Sequence, residues 1–305
     1  MLFRRDLMQQ STNLRKKLES NDIVKVCGAY DAMSAKLVES NGFDAIWAGS
    51  FAISAIHNVP DASILTMTEF FTAASNMANA CDIPVIADCD TGYGDATNVR
   101  YMTKKYESAG IAGICIEDKT FPKQNSLLEG GNNQLLSEKE FSAKILAANE
   151  AKQNDDFAII ARIEALISGI GMKEAIKRAD AYEKAGADLI LIHSKKITPE
   201  EIFEFADSWN GTAPLVVIPT TYYSVNVDEL IQHKIKMVIY ANQTLRAAHL
   251  ALSNLLSEMK DANNMSQVQN KMSPMDDIFK LQEMHDVKSQ EKILEEKLRK
   301  LGYIS

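Results

Sequence analysis

Apolar positions along this chain come in short runs, separated by longer stretches in which apolar and polar residues recur at helical spacing. Runs at 23–27, 45–47, 85–87, 111–116, 157–163, 189–192, 215–218 and 236–240 predict eight buried strands. The stretches 32–39, 68–80, 99–109, 138–151, 172–185, 199–208, 227–232 and 244–258 predict the helices between and after them. Strands that alternate with helices pair in parallel, because each crossover needs its helix. Eight such units within about 250 residues predict an α/β fold of the closed (β/α)8 TIM-barrel type rather than an open, doubly wound sheet. The barrel domain is expected at 23–258. A polar, helix-permissive lead-in, read as a surface helix, occupies 1–22, and a linker rich in Asn, Gln, Ser and Met occupies 259–275. Residues 276–305 return to a charged helix carrying Ile278, Leu281, Ile293 and Leu298.

A barrel gathers its reactive groups where strands end, at the C-terminal mouth. The predicted strand ends carry Tyr30 and Asp31, Trp47 to Ser50, Asp88 and Asp90, Glu117, Arg162 and Glu164, His193 and Ser194, Thr220 to Tyr222, and Asn242. Singly, each reads as an ordinary polar residue at a strand end. A lone histidine after Leu-Ile-Leu-Ile is more often a core residue than a catalyst, and Trp47 is more often packing than substrate contact. Their shared position at one mouth is what gives them joint meaning.

The densest chemistry lies in 83–94, where Asp88 and Asp90 end a short apolar run and a glycine-rich turn follows. Alternate residues of a strand share a face, so both carboxylates are expected to point the same way. At about 4 Å they repel by roughly 4 kcal/mol at an effective dielectric near 20, which asks for a proton or a cation between them. A hard divalent ion and a plain solvated turn both fit this segment alone. In the fourth strand Ile111, Gly113, Cys115 and Glu117 share a face whose small side chains suit a barrel interior, with Cys115 as filler and Glu117 as a further acid at the mouth. A loose ring of carboxylates suits Mg2+, which keeps several waters, and the lack of a His/Cys cluster disfavours zinc.

Composition narrows the partners. Of 305 residues 46% are hydrophobic, enough for a sizeable core. A net charge of -8 argues against general nucleic-acid or anionic-membrane binding, while leaving room for a local positive pocket. Cys27, Cys81, Cys89 and Cys115 show no CxxC pairing and read as buried free thiols in a reducing compartment. No apolar run approaches the ~18 residues of a membrane span, and no signal-peptide core opens the chain. Arg4, Arg5, Lys16 and Lys17 hint at a transit peptide, but Asp6 and Glu19 interrupt that pattern. A cytoplasmic location is expected.

After Glu117 the stretch 118–134 is too polar and too rich in Gly, Pro and Asn for a strand or helix. Loops this long are usually functional or disordered. It reads as a lid over the mouth, with Lys119, Lys123 and Asn125 as donors for an anionic substrate and Gly130-Gly131 as a hinge; a flexible surface loop is the other reading.

Residues 117–126, Glu-Asp-Lys-Thr-Phe-Pro-Lys-Gln-Asn-Ser, resemble the EDKxFPKxNS signature of the phosphoenolpyruvate mutase family, in the isocitrate lyase/PEP mutase superfamily. The resemblance extends to Gly28-Ala29-Tyr30-Asp31 with Ser34, to Asp88-Cys89-Asp90-Thr91-Gly92-Tyr93-Gly94, to Ala161-Arg162-Ile163-Glu164-Ala165 and to His193-Ser194-Lys195-Lys196. The DxDTGYG turn belongs to the whole superfamily, and the lid motif to the mutase branch and its near relatives. The resemblance implies an isomerase that interconverts phosphoenolpyruvate and phosphonopyruvate with Mg2+, forming the C–P bond of phosphonate biosynthesis. It implies Asp88 on the metal and Asp61, Asp90 and Glu117 holding its waters. Arg162, Asn125 and His193 are implied to bind the migrating phosphoryl group, with backbone N–H groups of Gly49, Ser50 and Phe51. Lys123 is implied to add charge from the lid and Trp47 to pack on substrate.

One departure stands out: the family usually has Trp-Gly-Ser-Gly-Leu where this chain has Trp47-Ala48-Gly49-Ser50-Phe51. Three other functions compete. Phosphonopyruvate hydrolase typically has threonine at the place of Asn125. Carbon–carbon lyases of the isocitrate lyase type use a lid cysteine, which 118–134 lacks. A non-catalytic binding protein is expected to have lost some of the acids or Arg162, and all are present. The resemblance further implies a homodimer or homotetramer with a swapped C-terminal helix, and a downstream phosphonopyruvate decarboxylase as a metabolic rather than bound partner.

Overall fold

The structure is a computed structural model that describes residues 9–304, so residues 1–8 of the expected lead-in, with Arg4, Arg5 and Asp6, and Ser305 of the expected C-terminal helix lie outside the described residues. The first of two compact units ends at Leu245. It runs through α1 (Gln9–Glu19), β1 (Val24–Ala29), α2 (Ala32–Ser40), β2 (Ala45–Ala48), α3 (Ser50–Ile56), α4 (Met67–Ala80), β3 (Val85–Asp88), α5 (Ala96–Ser108) and β4 (Gly113–Glu117). There follow α6 (Glu138–Ala151), β5 (Ala158–Ile163), α7 (Ala165–Ser168), α8 (Met172–Lys184), β6 (Leu189–Ile192), α9 (Glu200–Ser208), β7 (Leu215–Val217), α10 (Val227–Gln232), β8 (Ile235–Tyr240) and the first residues of α11 (Gln243–Asp261).

The eight strands are parallel and close in chain order, β8 returning to β1 through Val24↔Met237 and Cys27↔Tyr240. The expected (β/α)8 barrel is the observed fold. Helices α3 and α7 are additions, too short for their periodicity to register in the hydropathy pattern. Helix starts follow local chemistry: Ser137 and Glu140 form a capping box at α6, and Asp31 and Ser34 do so at α2.

Side-chain alternation sorts the core into two layers. Val24, Val26, Trp47, Ile86, Cys115, Ile160, Leu191, Val216 and Met237 fill the barrel, while Ile46, Ala87, Ile114, Ile116, Ile159, Ile190 and Val238 pack outward under the helices. Cys115 is an interior filler as expected, and all four cysteines are buried and free. Ile111 departs from expectation and packs outward, because the strand begins only at Gly113 and the alternation is reset there.

Helix α1 corrects the surface-helix expectation. Leu14 is fully buried in the inner layer with Leu18 packed behind it, and Gln10 donates to the carbonyls of Ala78 and Cys81. The helix stoppers the end of the barrel where the strands begin, and burying Leu14 contributes about 1.5–3 kcal/mol. Its polar composition hides this because the contact needs only the two leucines of one turn.

At the opposite end, β1 passes so close to the chain leaving β8 that a Cβ on Gly28 would lie 2.0 Å from the carbonyl oxygen of Ala241. Thr244 Oγ1 donates to Gly28 O at 2.7 Å, locking that approach.

The second compact unit begins at Arg246 and holds the rest of α11, 3-10 turns at Met265–Gln267 and Gln269–Lys271, α12 (Met275–Leu281) and α13 (Met284–Lys300). The single helix expected at 276–305 is two, broken at Glu283, whose φ of 55° is left-handed. Neither α11 nor α13 buries a residue. Among the described residues no helix is long and apolar enough to cross a membrane.

Candidate active site

The strand ends open into a cavity of about 600 Å3 lined by Trp47, Gly49, Ser50, Phe51, Asp61, Asp88, Lys123, Asn125, Arg162 and His193, among others. Of the residues the sequence singled out, Asp90 and Glu117 lie behind the cavity wall, each 3% exposed. They reach it through two cations: Lys123 Nζ is 3.0 Å from Asp90 Oδ1, and Arg162 Nη2 is 3.3 Å from Glu117 Oε2.

Asp88 and Asp90 do not share a strand face. β3 stops at Asp88, and Asp90 has a left-handed φ of 49° in the turn that follows. The backbone N–H of Asp90 donates to Asp88 Oδ1 at 3.3 Å, so a turn gathers the acids where strand alternation was expected to. Asp88 Oδ2 accepts from the hydroxyl of Ser50 at 2.9 Å and its N–H at 3.3 Å. The hydroxyl that departs from the family pattern is thus turned onto an acid. Gly49 N–H points to Ala29 O at 3.4 Å, which leaves Phe51 as the member of that trio with its N–H uncommitted.

The stretch 118–134 is a loop tethered at its roots, and its residues Lys123 to Leu128 line the cavity. Lys119 bridges to Leu135 in antiparallel fashion, Thr120 N–H donates to Gln134 O at 2.9 Å, and Leu136 N–H to Asp118 O at 2.9 Å. Its tip lies over the cavity and is fastened to the loop before α4. Lys123 Nζ meets Asp61 Oδ1 at 2.6 Å, Asn125 Nδ2 donates to Asp61 Oδ2 at 2.7 Å, and Lys123 N–H donates to Ser63 Oγ at 3.0 Å. Burial opposes the charge on Lys123, yet Asp90, Asp61, Glu117 and Asp88 outweigh it and hold the ammonium well above its ordinary pKa. The Asp90 carboxyl is pushed up to about 7, chiefly by burial and with help from Asp88, Asp61 and Glu117, against the pull of Lys123.

On the other wall Arg162 Nε donates to Glu164 Oε1 at 2.5 Å, and His193 Nδ1 lies 2.8 Å from the same oxygen. Arg162 Nη2 also lies 3.0 Å from His193 Nδ1. An arginine can only donate, and Glu164 is held ionised well below the usual carboxylate range: burial is overcome by Arg162, His193 and Lys119. An ionised carboxylate can only accept, so the Glu164 contact takes the proton on Nδ1; Arg162 Nη2 then lies beside Nδ1 without a hydrogen bond to it, and Nε2 is left as the ring nitrogen for a ligand.

The structure corrects several expected roles. Lys119 is fully buried, does not line the cavity, and spends its ammonium on Gln124 O and Ser126 Oγ. Tyr30 and Asp31 do not line this cavity, and Asp31 caps α2. Tyr222 is fully buried and lies off the cavity wall. Residues given no role from sequence appear instead. Ser126 lines the cavity, Glu164 organises the Arg162–His193 pair, and Arg178 and Tyr182 hold Asp118 at 2.8 Å each. Ser126 and Glu164 stood inside recognisable motifs; nothing local marked Arg178.

The acids suit a hard cation. Asp90 Oδ1 and Glu117 Oε1 are buried without a hydrogen-bond partner, the Lys123 ammonium meeting the former only as an ion pair. Asp61, Asp88, Asp90, Glu117 and Glu164 outnumber Lys119, Lys123 and Arg162, and a divalent ion would offset the excess. Among the described residues no three His, Cys, Asp or Glu side chains are grouped closely enough to hold a metal ion by themselves; Mg2+ needs only one or two carboxylates directly and keeps several waters.

Acids and paired cations facing one another across a closed barrel mouth define the site of a (β/α)8 barrel enzyme that acts on small molecules. Comparison with known proteins agrees. The family model described as Phosphoenolpyruvate phosphomutase matches residues 14–260. Phosphonopyruvate hydrolase of Variovorax sp. (strain Pal2) is 42% identical over 276 residues, covering 90% of this chain and 95% of that protein. The crystal structure of phosphoenolpyruvate phosphomutase from Streptomyces platensis subsp. rosaceus is 43% identical with a TM-score of 0.91, covering 92% of this chain and 98% of that one. A phosphonopyruvate hydrolase crystallised with oxalate and Mg2+ is 39% identical with a TM-score of 0.88, covering 93% and 98%. The chain belongs to the phosphoenolpyruvate phosphomutase family, within the isocitrate lyase/PEP mutase superfamily.

Proposed function

We propose that this chain is an isomerase interconverting phosphoenolpyruvate and phosphonopyruvate by Mg2+-dependent intramolecular phosphoryl transfer, serving phosphonate biosynthesis. The lid carries the reading. Asn125, at the place where hydrolases of the family typically have threonine, faces the cavity and is anchored on Asp61. The orphaned acceptors on Asp90 and Glu117 support a metal bound by Asp88, with Asp61, Asp90 and Glu117 holding its waters. When bound, Mg2+ supplies Lewis-acid stabilisation of an enolate oxygen.

The chain's own residues do the remaining work. The Arg162 guanidinium, fixed by Glu164, presents its remaining N–H groups to the phosphoryl oxygens, as a planar fork suits such an anion. His193 Nε2, the Asn125 amide and the Phe51 N–H complete that shell, and Trp47 closes the apolar wall. The C–P bond breaks with its electron pair left on carbon, and the phosphoryl group passes to the enolate oxygen to form the new P–O bond. Atoms and charge balance without water or oxidant. A loose, metaphosphate-like transfer requires positioning and charge stabilisation rather than a protein nucleophile. The fastened lid excludes water that would otherwise capture the phosphoryl group.

Hydrolysis of phosphonopyruvate to pyruvate and phosphate is the second reading, favoured by the 42% identity to the Variovorax hydrolase. Phosphorus NMR of the protein with phosphonopyruvate and Mg2+ separates them. Phosphoenolpyruvate supports the mutase, pyruvate with free phosphate replaces it by the hydrolase, and no turnover by a folded protein points to a binding role. Exposed Leu250 and Leu256 on α11 and Ile293 and Leu294 on α13 support a homodimer or homotetramer, including the swapped helix, which light scattering checks. The buried free thiols support a cytoplasmic location.

A further inference from the structure

Glu164 does not line the cavity, yet more polar contacts converge on its carboxylate than its place behind the wall would suggest. Oε1 receives Arg162 Nε and His193 Nδ1, the two groups that face the ligand. Oε2 accepts from the lid, through the Ser126 hydroxyl at 2.6 Å. That hydroxyl in turn accepts from Lys119 Nζ at 2.6 Å and Arg162 Nη2 at 3.1 Å. Lys119 also donates to Gln124 O at 2.9 Å and lies 3.6 Å from Glu164 Oε2. Lys119 and Glu164 are fully buried, and Ser126 is 6% exposed.

A charged amine is buried only where its surroundings compensate it, and here every partner of Lys119 belongs to the lid or is Glu164. With the lid raised, Glu164 Oε2 loses its donor, Arg162 Nη2 loses an acceptor, and Lys119 loses its Ser126 contact. With the lid down, both carboxylate oxygens are engaged and the guanidinium and imidazole are held in one orientation. We infer that Lys119 and Ser126 form a latch through which lid closure sets the Arg162–His193 pair, with Glu164 as the positioning residue that transmits it. Closure over the ligand and alignment of its anion-binding groups are then a single event. The inference deepens the proposed function in that the aligned pair is the one assigned to the phosphoryl group.

The test reads the lid without relying on turnover. Amide hydrogen exchange is followed over 119–136 in the full chain, alone and with Mg2+ and oxalate, for the wild type and for Lys119→Met, Ser126→Ala, Ser126→Thr and Glu164→Gln. Losing a buried, charge-assisted hydrogen bond is expected to speed lid exchange about tenfold or more in Lys119→Met and Ser126→Ala, with barrel-strand exchange unchanged. Ser126→Thr, which keeps the hydroxyl, is expected to restore protection. In the Glu164→Gln background, Lys119→Met is expected to add much less than it does alone, because both act through one carboxylate. The phosphonopyruvate reaction, followed by phosphorus NMR, is expected to lose kcat more than KM worsens in Lys119→Met. Unchanged lid exchange in both Lys119→Met and Ser126→Ala overturns the latch, as does full additivity with Glu164→Gln. If the wild type turns over neither phosphonopyruvate nor phosphoenolpyruvate, the proposed function fails while the exchange results still decide the latch.

Discussion

Arg178→Met tests whether the lid is held at its roots. Arg178, 6% exposed on α8, joins both ends of the lid: Nη1 donates to Asp118 Oδ2 at 2.8 Å and Nη2 to Leu136 O at 3.0 Å. Methionine retains most of the aliphatic stem, so packing changes little and the loss is polar. It leaves the Leu136 carbonyl short of a donor, at about 1–3 kcal/mol, and breaks a buried ion pair, at about 3–5 kcal/mol. Asp118 keeps Tyr182 Oη at 2.8 Å and Glu164 N–H at 2.9 Å, which draws the total toward the lower end. The contact with Glu174, whose side chain is 31% exposed, adds less than about 1 kcal/mol. A destabilisation of about 3–4 kcal/mol is expected, or a fall in Tm of about 6–16 °C for a domain of this size. Urea unfolding followed by circular dichroism measures it. Asp118→Asn and the double variant complete a cycle, in which the double variant is expected to fall short of the summed singles by at least about 1 kcal/mol. A loss below about 1 kcal/mol, or an additive cycle, refutes the account of the lid's anchoring.

Three further outcomes are expected. Asp88→Ala removes the acid that Ser50 holds at the cavity wall; isothermal titration should show Mg2+ binding lost, and retained binding means the metal site lies elsewhere. Gly28→Ala places a methyl group 2.0 Å from Ala241 O, so β1 and the chain after β8 must part, at about 1–3 kcal/mol or more; an unchanged urea midpoint contradicts that close approach. Glu183 Oε1 accepts Thr212 N–H and Ala213 N–H at 2.6 Å each and the Thr212 hydroxyl at 2.8 Å, and these bonds outweigh burial to hold its carboxyl below the ordinary 4.5. A depressed carboxyl adds stability that is complete above its unfolded pKa and disappears as pH falls through the folded one. The stability gap between wild type and Glu183→Gln should therefore be constant near neutrality and shrink below pH about 4.5; thermal melts showing a gap unchanged down to pH about 3 contradict it.

How much was legible from sequence differs between the scaffold and the site. All eight strands were visible because each is a short apolar run bounded by helix and turn signals, as Leu189–Ile192 illustrates. The cavity-lining Trp47, Asp88, Arg162 and His193 were also visible, because barrel closure brings every strand end to one mouth, while Lys123 and Asn125 stood out as donors in the long polar loop after β4. Asp90 was foreseen as an acid but not in its conformation. Its left-handed φ depends on the turn of which Gly92 and Gly94 are also part, and strand alternation does not extend into that turn.

The sequence by itself determined the fold class, the family and the inventory of acids and bases, since these follow from local periodicity and from residue types at fixed spacing. Only the tertiary structure decided what those residues do for one another. Lys119 and Lys123 lie four positions apart in one polar loop, yet one is an internal strut and the other meets Asp61 at the cavity. Leu14 is one of only two apolar residues in the polar helix α1, yet it is fully buried in the barrel. The physical reason is distance along the chain. Ser126 and Glu164 are 38 residues apart and Asp118 and Arg178 are 60 apart, and such pairs meet only because the closed barrel sets β4 beside β5 with α8 packed behind. Burial and charge compensation then act on that juxtaposition, which no local pattern encodes.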